Sequence, residues 1–210
     1  MAVPILTQEY SAPDWPNPQQ FQSAPTPLEY IGVAQMAFPL YTPSCFYRDG
    51  VKEELELIRV LFVCYANICR STMAEGLFQH MLEQNGLTDR IETDSAGTHS
   101  SGGKTAHPNT LAILTEHGIP YNGISRRLAL EDFSKFDYIL AMDNENMETI
   151  ELIQPPDAKA KVALLLDYAP HLPYREVADP YVHGRYNETF ETLQIGLQAL
   201  LNTLRERHHL

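Results

Sequence analysis

Cys64 and Arg70 are residues of chemically active type, and they enclose the short segment Tyr65-Ala66-Asn67-Ile68-Cys69. They stand where the pattern of the chain changes. Val60 to Val63 is a β-branched and aromatic run of the kind that forms a buried strand. From Ser71 onward Met73, Leu77, Phe78, Met81 and Leu82 recur at helical spacing until Gly86. A tight loop between strand and helix turns successive backbone N–H groups inward, and the helix N-terminus adds the positive end of its dipole. Arg70 closes such a ring with a guanidinium fork that matches two phosphate oxygens. The same positive field favours Cys64 as thiolate, the nucleophilic form, and Ser71 is placed to donate a hydrogen bond to that sulfur. The chemistry predicted is capture of a phosphoryl group and attack on it by sulfur. A buried cysteine at the end of a core strand is commonplace, so the reading leans on the strand before the pair and the helix after it.

The bulk properties restrict the partners. A chain of 210 residues with 44% hydrophobic and 20% charged content is a soluble globular protein, long enough for one buried domain plus an extension. A net charge of −12 argues against nucleic acid or an anionic membrane as partner, so any anion affinity must come from a local site. Three cysteines do not make a disulfide framework. No apolar stretch approaches the roughly 20 residues that span a bilayer. The first Lys or Arg is Arg48, which fits neither a signal peptide nor an Arg-rich transit peptide. A cytoplasmic protein is expected.

Composition shifts near residue 50. Residues 1–50 hold 8 of the 15 prolines and lack periodicity, so they are expected to form a disordered extension ahead of a domain at 51–210. Pro13 and Pro16 form a Pro-x-x-Pro pair, which makes a docking partner for this extension a possibility. Val51–Leu57 reads as a lead-in to the first strand. Beyond it, strands are predicted at Ile58–Val63, Arg90–Thr93, Tyr138–Met142 and Val162–Leu166. Helices are predicted at Ser71–Asn85, Pro108–His117, Asn144–Gln154 and Glu188–Arg207. Repeated β-α-β units imply an α/β fold, a parallel sheet with helices on both faces. Ligands of such sheets sit beyond the carboxyl ends of the strands, where Cys64 falls.

A departing phenolate or alkoxide needs a proton, and a carboxylic acid can supply it. The candidate is Asp179, in Asp179-Pro180-Tyr181-Val182-His183-Gly184, a segment that Pro180 and Gly184 mark as a shaped loop. Tyr181 offers an aromatic wall to a substrate that carries a ring.

Five segments in order, Val63–Ser71, Asp94–Thr98, His117–Pro120, Phe136–Asp143 and Asp179–Tyr181, resemble the low-molecular-weight protein tyrosine phosphatases. The resemblance covers about Leu57–Leu204. It implies a three-layer sandwich with a four-stranded parallel sheet, and a two-step mechanism without metal or other cofactor. In it Cys64 attacks phosphorus, Arg70 and the loop residues Tyr65, Ala66, Asn67, Ile68 and Cys69 cradle the oxyanions, and Asp179 serves as acid and then base. Asn67 would hold the loop's strained conformation, with Ser71 and Ser95 in its hydrogen-bond network. Cys69 is the family's second loop cysteine, able to bond to the nucleophile under oxidation.

Three departures from the pattern stand out. Ala66 occupies a position usually glycine, and a positive φ there would cost about 1 kcal/mol or more. Gly123 stands where some members place a histidine of the loop network. His99–Lys104, which resembles the variable pocket wall, contains no aromatic ring, so Tyr65 is expected to supply one. The leading expectation is hydrolysis of phosphotyrosine-containing proteins. Related protein-arginine phosphatases tend to carry threonine at the position of Ile68. Alternatives are such an arginine phosphatase, an arsenate reductase of the same fold, or a non-catalytic phosphate-binding module. No cysteine follows Cys69 to relay electrons for the reductase.

Overall fold

The computed structural model describes residues 56–210, together with the backbone pairing of two short strands, β1 (Cys45–Arg48) and β2 (Val51–Glu54). These two are antiparallel, with Arg48 opposite Val51. Part of the expected lead-in at Val51–Leu57 is therefore a hairpin strand, and the boundary expected at 50/51 falls between its two strands. The Pro-x-x-Pro pair and its docking role lie outside the described residues.

The remaining strands are β3 (Ile58–Cys64), β4 (Ile91–Gly97), β5 (Tyr138–Ala141) and β6 (Lys161–Leu164). They form one sheet in the order β4-β3-β5-β6, parallel throughout. β4 extends well past its predicted end at Thr93. Asp94, Ser95 and Gly97 are poor strand formers, yet the register with β3, from Ile58 opposite Ile91 to Cys64 opposite Gly97, carries them into the ladder.

The helices are α1 (Arg70–Gln84), α2 (Pro108–Glu116), α3 (Asp132–Lys135), α4 (Asn144–Ile153), α5 (Pro180–His183) and α6 (Tyr186–His208). Side chains alternate across a strand, and β3 divides its own between two cores. Val60, Phe62 and Cys64 join Met73, Phe78, Leu193 and Leu200 of α1 and α6. Leu61 and Val63 join Phe133, Phe136 and Ile150 on the other face. The architecture is thus an α/β three-layer sandwich with helices on both faces. Asp179–Gly184 is a helical turn, α5, where a loop was expected. Pro180 presets its first turn, and the Asp179 side chain accepts a hydrogen bond from the Tyr181 N–H. Among the described residues no helix is long and apolar enough to cross a membrane.

The chain leaves central strand β3 toward neighbour β4 on one side and later returns to pair β5 on the other. The carboxyl ends of β3 and β5 therefore flank the switch point at which such sheets bind ligands. Phe62, fully buried at the middle of β3, meets Phe78 of α1 edge to face with ring centroids 5.6 Å apart. Phe62→Ala is expected to lower the unfolding free energy by about 3–5 kcal/mol, read as a lower urea midpoint at unchanged slope. A loss below about 1 kcal/mol would mean that this core is not closed as described.

Candidate active site

The segment from Cys64 to Arg70 leaves β3 and enters α1 at the switch point. Its carbonyls point outward: those of Cys64, Tyr65, Ile68 and Cys69 accept hydrogen bonds from the N–H groups of Thr98, His99, His107 and Met73. In a trans peptide the C=O and the following N–H point in opposite directions. The N–H groups of Tyr65, Ala66, Cys69 and Arg70 are therefore directed to the inside of the loop. The loop lies tight on the end of β4, where a Cβ on Gly97 would fall 2.8 Å from the Tyr65 carbonyl oxygen and 2.9 Å from the Asn67 nitrogen.

The positive φ that would be costly at Ala66 is found one residue later, at Asn67, whose φ is 57°. Asparagine adopts this region far more readily than alanine, so the methyl of Ala66 carries no such strain. The Asn67 side chain is 1% exposed, and all of its hydrogen-bonding capacity is used in fixing the turn. Its Oδ1 accepts from the Arg126 N–H at 2.7 Å, and its Nδ2 donates to Ser71 Oγ at 3.0 Å and to Ser95 Oγ at 2.8 Å. Ser71 Oγ lies 3.0 Å from Cys64 Sγ. Arg126 is clamped in turn by Asp94 and Asp132, at 2.9 Å each.

Arg70 is 3% exposed. Its Nη1 donates to Asp143 Oδ2 and, at 3.1 Å, to the Val177 carbonyl, while Nη2 donates to Asp179 Oδ2 at 2.8 Å. Burial works against the charge, but the Cys64 sulfur and the two carboxylates outweigh it and hold the guanidinium above its usual range. Each carboxylate is itself fixed by a helix. Asp143, at the end of β5, caps α4 by accepting from the Asn146 N–H at 2.7 Å. Asp179 caps α5 through its other oxygen. A surface groove of about 750 Å³, with Arg70, Asp143 and Asp179 in its lining, runs from here past Thr189 of α6.

Cys69 is buried, and burial pushes its thiol up to about 11. Its sulfur is 3.7 Å from the Tyr186 hydroxyl, which lies 3.0 Å from His107 Nδ1. That nitrogen also accepts from the Asn109 N–H, so Tyr186 donates to His107 and the Cys69 thiol donates to Tyr186. Around the mouth stand aromatic rings. Tyr65 stacks on His99 at 4.5 Å, so the wall said to lack a ring has an imidazole. Tyr181 is 67% exposed and meets His107 edge-on. Ile68 packs against the core with one side and keeps part of its surface exposed.

All of the predicted site residues thus lie on the Cys64–Ser71 segment, on the end of β4 or at the start of α5. Sequence reasoning missed Asp143, although an acidic residue directly after a central strand and capping a helix is a readable signal. It also missed His107 and Tyr186, whose partners are far apart in the chain. Among the described residues no group of three or more His, Cys, Asp and Glu is gathered as a metal site.

Known proteins are similar to this chain in sequence and fold. The family model for low molecular weight phosphotyrosine protein phosphatases matches residues 59–210. A low molecular weight phosphotyrosine protein phosphatase of Schizosaccharomyces pombe is 43% identical over 129 residues, 60% of this chain and 83% of the relative. The crystal structure of YfkJ from Bacillus subtilis superposes with a TM-score of 0.70 at 35% identity, covering 72% of this chain and 97% of that one. A Drosophila arginine phosphatase superposes with a TM-score of 0.67 at 31% identity, covering 70% of this chain and 98% of that one. The matched span includes the whole Cys64–Arg70 loop, the carboxylates that hold Arg70 and the sheet beneath them, and this chain belongs to the low molecular weight phosphotyrosine protein phosphatase family.

Proposed function

We propose that the chain hydrolyses phosphotyrosine in proteins through a phosphocysteine intermediate. The observation that carries this reading is the convergence of a sulfur, a guanidinium and a carboxylate. Cys64 Sγ lies against the Ser71 hydroxyl, and Arg70 of the same loop is paired with Asp179. Nη1 of Arg70 stays committed to Asp143 and Val177, while the Nε–Nη2 edge turns from Asp179 to the phosphoryl oxygens. The inward N–H groups bind the same oxygens and stabilise the charge that spreads over them in the transition state. Cys64 then attacks in line: the P–S bond forms and the bond from phosphorus to the phenolic oxygen breaks. Asp179, freed from Arg70 and now beside an anion, takes up a proton from solvent and gives it to that oxygen. In the second step Asp179 takes a proton from water, the water oxygen bonds to phosphorus, and the Cys64 thiolate leaves, again stabilised by the Ser71 hydroxyl.

The rim supports tyrosine as the residue served. Ile68 offers a branched apolar surface, which suits a phenyl ring better than a guanidinium, and the Tyr65–His99 stack and Tyr181 add ring faces against which a substrate ring can pack. The likeness to an arginine phosphatase makes phosphoarginine the competing substrate.

Three outcomes test this reading. Steady-state kcat/KM is expected to favour phosphotyrosine peptides over phosphoarginine peptides by about tenfold or more; the reverse order would assign the chain to arginine. Cys64→Ser should abolish turnover of para-nitrophenyl phosphate while retaining phosphate binding, and unchanged turnover would remove Cys64 from the mechanism. Asp179→Ala should lower kcat about a hundredfold for phosphotyrosine and much less for para-nitrophenyl phosphate, whose leaving group needs little protonation. An equal loss on both would exclude the acid role.

A further inference from the structure

The hydrogen-bond chain behind Cys64 does not end at Ser95. Ser95 Oγ donates to Glu75 Oε2 at 2.5 Å, and the Tyr121 hydroxyl donates to the same oxygen at 2.7 Å. Glu75 lies four residues after Ser71, on the same face of α1. Tyr121 reaches it from the segment that follows α2, and its ring has a seat made by two glycines. A Cβ on Gly76 would approach the ring at 3.0 Å, and one on Gly123 would fall 2.3 Å from the hydroxyl oxygen. Gly123, noted above for what it lacks, is thus where the Tyr121 hydroxyl is admitted.

Counting hydrogens gives this chain a direction. Asn67 has two amide hydrogens and gives one to Ser95 and one to Ser71, while its oxygen is taken by Arg126. Each serine then has a single hydrogen to donate. That of Ser95 goes to Glu75, and that of Ser71 is left for Cys64, which as the thiolate can only accept. Burial pushes the Glu75 carboxyl upward, and the hydroxyls of Ser95 and Tyr121 oppose that by stabilising its charged form.

We propose that Glu75 and Tyr121 are positioning residues for Cys64, anchoring Ser95 and Asn67 so that the Ser71 hydroxyl is held pointing at the sulfur. The proposal rests on Cys64 as the nucleophile. The sulfur attacks in the first step and leaves in the second, so slackness in this anchor slows both. Phosphate binding uses the loop N–H groups and Arg70 and is left in place.

Tyr121→Phe, which removes one oxygen and keeps the ring in its seat, is the variant of choice because Glu75 substitutions risk the fold. Its kcat for para-nitrophenyl phosphate is expected to fall about three- to tenfold, with the phosphate inhibition constant within about twofold of wild type. The rate of Cys64 alkylation by iodoacetate at pH 7, followed by peptide mass, should fall in parallel with kcat. Gly123→Ala, which drives a methyl into the hydroxyl and into the ring carbon that bears it, should reproduce the loss. Unchanged alkylation and kcat in Tyr121→Phe would overturn the proposal. So would a phosphate inhibition constant that rises as far as kcat falls, which marks general loosening of the loop. Alkylation needs no substrate, so a wild type without turnover would defeat the phosphatase reading and still leave this arm to decide the anchor.

Discussion

A guanidinium that is 3% exposed cannot be left without partners. Removing one member of a buried ion pair costs about 3–5 kcal/mol, because the other charge is left uncompensated. Arg70 meets this demand with two carboxylates and a backbone carbonyl drawn from three places: Asp143 at the end of β5, Val177 in the following segment and Asp179 at the cap of α5. Pairing the one side chain brings the ends of two central strands and a remote helical turn to a single point. On the proposed reading the same demand drives substrate capture. A phosphoryl group replaces one carboxylate on the fork, and the carboxylate it releases is the acid that the reaction needs.

The division of labour between the two carboxylates follows from how each is held. Asp143 is anchored by the first turn of a ten-residue helix and keeps the outer nitrogen of the guanidinium in place. Asp179 caps only a four-residue turn, and its side chain is 30% exposed against 19% for Asp143. On the proposed reading the better-anchored carboxylate orients Arg70 and the more accessible one exchanges protons. On the opposite side of the sulfur, rigidity comes from a hydrogen-bond network. Asn67 in its left-handed turn, Ser71 and Ser95 are linked through Ser95 to the Glu75 carboxylate, and such networks are stiff only when every member is satisfied.

Much of this was readable from residue order, because it depends on local pattern. The strand–loop–helix unit around Cys64 shows in the change of period from strand to helix. The parallel sheet shows in the alternation of elements, and Asp179 in its Asp-Pro segment, read as a loop although it caps a helical turn. What was missed depends on contacts between distant residues. β4 continues through Asp94-Ser95-Ala96-Gly97 because the ladder with β3 outweighs their weak propensity. Tyr121 and Glu75 are 46 residues apart and meet only once α2 has returned the chain to α1. The concern over Ala66 assumed that a glycine-like conformation sits at the glycine position, whereas the left-handed residue is Asn67. His99 carries an imidazole, an aromatic ring in its own right, and its place in the pocket wall shows only in the fold, where it stacks on Tyr65.

The claim on which the account turns is that the phosphoryl group passes through the Cys64 sulfur. The direct measurement is a denaturing rapid quench of the enzyme during turnover of para-nitrophenyl phosphate, followed by peptide mapping. The account predicts phosphate covalently bound to the peptide containing Cys64, appearing before steady-state phosphate release and absent in Cys64→Ser. Turnover with no such adduct, or with the adduct on another residue, would contradict it.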